Sequence, residues 1–371
     1  MAFGLSIVVF FVALVAIILI HEGGHYLTAR AFGFRVLEFF VGFGPRLWST
    51  QRGEIEYGVK AIPAGGYVKI AGMNPFENDV PPGDEDRAYT AKPVWQRAIV
   101  IFAGPVSHIL VAFLIFAGLL FFVGDLSTKA VVGGVAARLD GATSPAAVAG
   151  LRPGDTIVRI GDVSNPTPTQ IGQVQRANVG QPIAFTILRD GHEIHTTMTP
   201  VEATVGGQQV ARIGITLVPV RRGVVSSLVG GVDEVGQTTW VSIKEIGRVF
   251  GPEGIARLGQ RLFGGAPSQV GDSTTVVGIG RAVGTYGEQG QWITLIYTFA
   301  YVTLFIGLVN LLPLPPFDGG HLAVLLIEKV RGRQIDMKKV VPVSFVVLTF
   351  FVLFVTATFI LDIWKPVPIS P

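Results

Sequence analysis

Four stretches of this chain are apolar over lengths that a bilayer demands. They cover residues 2–20 (continuing toward Arg30), about 98–124, about 291–314 and about 341–361. A hydrocarbon core of roughly 30 Å takes about 20 helical residues to cross. Inside it the backbone must pair its own N–H and C=O groups, which leaves helices as the usable element. Composition agrees: 49% of residues are hydrophobic, 15% are charged and the mean hydropathy is +0.53. The first stretch has the position of a signal peptide. It lacks a basic leading region, however, and its apolar run exceeds the roughly 7–15 residues usual there, so it reads as a retained span. The expected fold class is a polytopic α-helical membrane protein with about four transmembrane helices. A net charge of only +3 and the lack of any RNP, zinc-finger or helix-turn-helix pattern argue against a nucleic-acid partner. There is no cysteine, so a metal site here must use His, Asp and Glu.

Orientation follows the Lys and Arg count in the connecting segments. Nothing basic precedes Arg30, residues 30–97 carry nine Lys/Arg, and 329–339 carry five more. The long segment 125–290 carries fourteen at lower density. The consistent solution puts 30–97 and 329–339 inside, with both termini and 125–290 on the extracytoplasmic side.

The soluble parts read as follows. SPAAVAGLRPGDTIVRIGDV, residues 144–163, predicts a helix, a turn and a strand. AFTILRDGHEIHTTMTPV, residues 184–201, predicts a β-hairpin turning at Asp190-Gly191. Its His192 and His195 read as exposed strand residues. Residues 222–270 predict one or two amphipathic helices, either on the outer membrane surface or packed as a linker. The glycine-rich run 264–290 predicts loop. Inside, EIEYGVKAIPAGGYVKI predicts short strands that dip into the membrane interface, and acidic, proline-rich 74–93 predicts a mobile loop. The expected organisation is 1–124, a first membrane half with a β-loop; 125–220, an α/β domain; 221–290, a linker; and 291–371, a second membrane half.

Chemistry concentrates where the first span ends, in ILIHEGGHYLTAR, residues 18–30. Ionisable groups at membrane depth are costly and mark function. His21 and His25 are four residues apart on one helical face, so both imidazoles can reach one metal ion. Glu22 is about 100° round the helix, placed to reach a water on that metal without ligating it. Two interfacial histidines satisfied by backbone or headgroups are the bland alternative, which leaves Glu22 unexplained. Catalytic zinc takes three protein ligands and keeps one position open. The third candidate lies in NLLPLPPFDGGHL, residues 310–322. Asp318 is the acidic residue of this hydrophobic region, with Pro313, Pro315 and Pro316 breaking the helix before it and Gly319-Gly320 after it. His321 is the competing ligand. If Arg30 marks the inner interface, His21 lies about 13 Å deeper at 1.5 Å per residue.

With these motifs the chain resembles the site-2 protease family, in its bacterial branch with an extracytoplasmic PDZ domain. The resemblance rests on HEGGH (21–25), GFGP (42–45), IPAGGYVKIAG (62–72), AGPVSHIL (103–110), the PDZ-like segment at about 130–220 with its AGLRPGD, and residues 310–322. It implies Zn2+ held by His21, His25 and Asp318, and Glu22 as the catalytic carboxylate. It also implies substrate contacts at Asn310 and along a membrane-dipping β-element at Gly66, Tyr67 and Val68. Three positions depart from the pattern: Gly23 and Phe317 where leucine is usual, and His108 where asparagine is usual. There is one PDZ-like segment where some relatives carry two.

The expected function is therefore hydrolysis of peptide bonds within transmembrane segments, in a bacterial inner membrane, as a step of regulated intramembrane proteolysis. The partners implied are membrane lipid and membrane-protein substrates already trimmed by another protease, such as anti-sigma factors and remnant signal peptides. A catalytically silent PDZ scaffold is the alternative, and a metal transporter would want more intramembrane carboxylates than Glu22 and Asp318.

Overall fold

The computed structural model describes residues 2–74, 76–77, 79–125, 129–205, 208–269 and 272–367. In chain order its elements begin with helix α1 (Ala2–Ala31), strands β1 (Val36–Arg52) and β2 (Ile55–Ile70), and helix α2 (Val94–Phe122). A sheet-rich segment follows, with β3 (Ala130–Val135), β4 (Arg138–Leu139), β5 (Ala142–Thr143), α3 (Pro145–Val148), β6 (Thr156–Ile160), β7 (Val163–Ser164) and α4 (Pro168–Ala177). It continues with β8 (Ile183–Arg189), β9 (His192–Met198), β10 (Val201–Val205), β11 (Gln208–Arg212) and β12 (Ile215–Val218). The rest is helical: α5 (Val224–Phe250), α6 (Pro252–Leu262), α7 (Val276–Glu288), α8 (Trp292–Asn310), α9 (Asp318–Arg331) and α10 (Val341–Trp364). Among the described residues four helices, α1, α2, α8 and α10, are long and apolar enough to cross a membrane. They coincide with the four stretches read from sequence. Helix α8 stops four residues short of the expected end, because the residue before a proline is driven out of the helical region and three prolines follow within six residues of Asn310.

The chain divides into two compact units, residues 1–115 with 233–371, and residues 116–232. In the first, the predicted short strands are two long ones folded back on each other. Glu38, Phe39, Phe40 and Val41 each pair twice, with 56–59 on one side and with 66–69 on the other, while 46–52 pairs with 55–60. Segment 66–70 is therefore an edge of this curled sheet among the described residues. The bend needs Gly42, whose φ is +86°. A Cβ there would meet the Ile62 and Lys60 carbonyl oxygens at 2.7 and 2.9 Å.

Two expectations fail in this unit. Residues 276–288 of the supposed glycine-rich loop form helix α7. Thr275 caps it by accepting the Val277 N–H, and buried Asp362 at the far end of α10 takes the Thr275 amide at 2.6 Å. Its buried face is Gly280, Val283, Gly284 and Gly287, and α7 packs along α1. Small residues at helical spacing permit close helix approach, so glycine acts here through packing rather than through propensity. Nor is the expected mobile loop simply mobile over 79–93 (Pro75 and Asn78 of its 74–93 lie outside the described residues): Arg87 binds Glu54 and Asp84, Arg35 joins the same carboxylates, and Ala88 and Tyr89 are buried. Beside it, Arg97 at the start of α2 pairs with Glu328 near the end of α9 at 2.9 Å, both 5% exposed. That buried pair fixes the helix that begins with Asp318 against α2.

The second unit holds a sheet in the order β12-β3-β6-β8-β9, with β7 beside β6. Its core is Val132, Ile157, Ile160, Phe185, Ile187 and Met198 with their neighbours. The β8–β9 hairpin turns at Asp190 and Gly191, whose φ values of +50° and +84° are those of a type I′ turn. Ser144 caps α3, and Thr167 with Gln170 forms a capping box on α4. Buried Asp155 receives the Arg189 guanidinium at 2.7 Å. His192 and His195 lie exposed on β9, as expected.

Candidate metal centre

Helix α1 carries His21, Glu22 and His25 within one turn, and α9 begins at Asp318. Asp318 reaches them because the chain between α8 and α9 folds tightly over the start of α9. A Cβ on Gly319 would meet the Leu311 and Leu312 carbonyl oxygens, and one on Gly320 would meet Pro315. The prolines stop α8 and the two glycines let its remnant close back. An acidic first residue also suits the positive N-terminal end of a helix.

The three side chains converge closely. His21 Nε2 lies 3.2 Å from His25 Nε2 and 3.2 Å from Asp318 Oδ2, and His25 Nε2 lies 3.5 Å from the same oxygen. A tetrahedral zinc with bonds of about 2.0–2.1 Å spaces its ligand atoms by about 3.3–3.4 Å. All three separations fall near that value. Asp318 Oδ2 is buried without a hydrogen-bond partner among the described residues, as expected of an acceptor meant for a cation. His21, His25 and Asp318 form the group of metal-ligating type found among the described residues. The donor set, two imidazoles and one carboxylate with a fourth position open, fits catalytic zinc. His321 stays outside the group and lines a groove of about 410 Å³ with Tyr67, Val68, Lys69, Ile70 and Ser344.

Helix α2 supplies the frame, which sequence reasoning missed. The Val100 carbonyl accepts a hydrogen bond from His25 Nδ1 at 2.8 Å, and His108 Nε2 lies 3.0 Å from His21 Nδ1. Between them, at i+4 from each, stands Gly104, where a Cβ would collide with both imidazole rings. Gly24 of α1 packs on the Ala103 backbone, 2.5 Å from its carbonyl oxygen to a built Cβ. Part of the signal was present in AGPVSHIL, residues 103–110, where 104 and 108 share a helical face with Val100 just before the motif, but only the partner helix gives that face a meaning.

Glu22 faces the sheet edge. Its carboxylate lies against the Val68 backbone N–H, and a Cβ on Gly66 would sit 3.0 Å from Glu22 Cγ. Of the expected substrate contacts, Gly66 and Val68 thus border Glu22. Tyr67 donates its hydroxyl to Glu38 at 2.5 Å and stacks on Phe40. Asn310 is the half-buried last residue of α8.

Comparison with known proteins matches residues 9–355 to the model of peptidase family M50. Zinc metalloprotease Rip1 of Mycobacterium tuberculosis is 34% identical over 99% of both chains. Metalloprotease MmpA of Caulobacter vibrioides is 34% identical over 86% of this chain and 85% of its own. Zinc metalloprotease RasP of Geobacillus kaustophilus is 28% identical over 92% and 93%. A match over nearly the whole length, on a chain whose first and ninth helices bring two histidines and an aspartate to zinc-ligand spacing, has one reading: this chain belongs to peptidase family M50.

Proposed function

We propose that this chain is an intramembrane zinc metalloprotease that hydrolyses peptide bonds in transmembrane segments of membrane proteins, with His21, His25 and Asp318 holding Zn2+ and Glu22 moving the proton. The near-equal 3.2, 3.2 and 3.5 Å separations of the three donor atoms carry this reading. Zinc metalloproteases among the relatives support it. Zinc in such a site supplies Lewis-acid chemistry, acidifying water toward a pKa of about 7 and polarising a carbonyl. Glu22, one residue from His21 but turned to the sheet edge, accepts the proton of the attacking water and returns it to the leaving amide nitrogen. As the new C–O bond forms, the C–N bond breaks. His25 and His21 are oriented through their Nδ1 atoms, which leaves each Nε2 free to ligate.

A helical substrate hides its carbonyls and must unwind before attack. Unwinding in lipid leaves each unpaired backbone group at a cost of several kcal/mol. The sheet edge 66–70, beside Glu22 and lining the 410 Å³ groove through residues 67–70, offers those groups partners by strand addition, with Asn310 on the opposite side. We read 125–220 as an extracytoplasmic PDZ-like domain, 221–290 as its linker and the flanking segments as two membrane halves in a bacterial inner membrane. On the resemblance, the substrates are chains already trimmed by another protease, such as anti-sigma factors and remnant signal peptides.

The test is Glu22→Gln, which keeps shape and removes the base. Zinc content should remain at one per chain while cleavage falls by about 10²–10⁴-fold. Near-normal turnover of the zinc-loaded variant would refute the mechanism, and it would leave the silent scaffold without support as well.

A further inference from the structure

Both histidines that reach Asp318 use their second ring nitrogen on α2, but the two partners differ in kind. His25 Nδ1 faces a carbonyl, which only accepts, so Nδ1 carries the proton and Nε2 keeps the lone pair. His21 Nδ1 faces another imidazole, His108 Nε2, at 3.0 Å. If His21 is a ligand through Nε2, its proton is on Nδ1, and the group facing it must accept.

We propose that His108 is the positioning residue of this metal centre: its Nε2 accepts the His21 Nδ1–H and thereby fixes the tautomer and ring plane with which His21 meets zinc. The inference rests on the reading that His21 is a zinc ligand. His108 is 1% exposed, so bulk water does not replace it in this role. Its backbone is held by α8, where Gly307 comes so near that a Cβ would lie 2.7 Å from His108 Cβ and 3.2 Å from the Pro105 carbonyl oxygen. The two rings are tilted by 36° with centroids 4.9 Å apart, an edge contact through nitrogen rather than a stack. His108 is not a fourth ligand in this geometry. Its nearest nitrogen faces the Nδ1 of His21, on the far side of that ring from the atom that meets Asp318. Such partners orient metal-bound histidines and raise their basicity. Asparagine, the residue that the resemblance leads one to expect here, would do the same through its side-chain carbonyl. Aspartate would add a charge, and alanine would supply nothing.

The experiment uses the full-length protein in detergent, with zinc affinity read by chelator competition and site symmetry by the visible spectrum of the cobalt-substituted form. His108→Ala should still bind one metal per chain but about 10–100-fold more weakly, with a shifted cobalt spectrum. His108→Asn should restore both affinity and spectrum. Unchanged affinity and spectrum in His108→Ala would overturn the proposal. So would a His108→Asn protein as impaired as His108→Ala, which would make the role one of packing. Complete loss of metal from both variants would also overturn it, by making His108 a direct ligand. His21→Ala, measured alongside, separates the two levels: if it binds metal like the wild type, the ligand assignment itself has failed.

Discussion

Gly104→Ala adds one methyl group between the two imidazoles of the candidate metal centre. A Cβ at this position would lie 2.5 Å from His25 Cε1 and 2.8 Å from His21 Cε1. Carbon atoms in ordinary contact stand about 3.5–4.0 Å apart, so the rings or the helix must move by about 0.7–1 Å. Overpacking of this kind costs about 1–3 kcal/mol. Against it stands a helix-propensity gain of about 0.5–1 kcal/mol from replacing glycine. Net stability should therefore fall by no more than about 2.5 kcal/mol, and the chain should still fold. The metal centre has less tolerance, since misplacing a catalytic group by about 1 Å costs on the order of 100-fold in rate. The assay compares cleavage of a membrane-spanning reporter, zinc affinity and the thermal midpoint with those of Gly118→Ala. Gly118 lies on the same helix, and its added Cβ would meet nothing within 4 Å, so this control should keep activity and gain stability. Wild-type zinc affinity and turnover in Gly104→Ala would refute the cradle.

Three further outcomes follow from the geometry. Asp318→Ala should lose zinc to a mild chelator while His321→Ala retains it, and the reverse order, read by metal analysis, would transfer the ligand role to His321. Helix-breaking Gly or Pro near a substrate's scissile bond should speed cleavage, and rates indifferent to substrate helix propensity would remove unwinding at the 66–70 edge from the mechanism. In the 116–232 unit, the Arg189 guanidinium holds the Asp155 carboxyl below its usual range. Its contribution is thus complete above the unfolded pKa of about 3.9 and is lost as pH falls through the lower folded value. Asp155→Asn should cost about 2–3 kcal/mol at neutral pH and flatten that acid dependence. Hydrogen exchange at Ile157 and Ile160 would read both, and wild-type protection in the variant at pH 7 would count against the pair.

The spans were legible because hydrophobicity over 20 residues has few other uses, and the proposed ligands drew attention because H-E-x-x-H sets two histidines one helical turn apart and D-G-G follows a proline-broken helix. What stayed hidden depended on a second element. Glycines at 280, 284 and 287 look like loop until α1 lies along them. The doubled pairing of 38–41 cannot be read from alternation, which says which face a residue takes and not how many neighbours its strand has. Acidic, proline-rich 74–93 looks mobile until Arg35 and Glu54 stand beside its Asp84 and Arg87. His108 stood out only as a departure from pattern, and its partner is 87 positions away in sequence.

The cradle on α2 also sets how much motion the site can survive. The Val100 carbonyl, Gly104 and His108 lie on one stripe of a single rigid rod. The His108 ring nitrogen, about 5–6 Å from the helix axis, sweeps about 1.4 Å when the helix turns by about 15°, whereas the Val100 carbonyl oxygen, a backbone atom about 2 Å from the axis, sweeps only about 0.5 Å. The 3.0 Å contact of His108 with His21 cannot survive its sweep, because useful donor–acceptor distances end near 3.2 Å. The rotational play allowed to α2 while His21 stays aimed is thus a few degrees, and a turn of this helix releases the His21 imidazole before it releases that of His25.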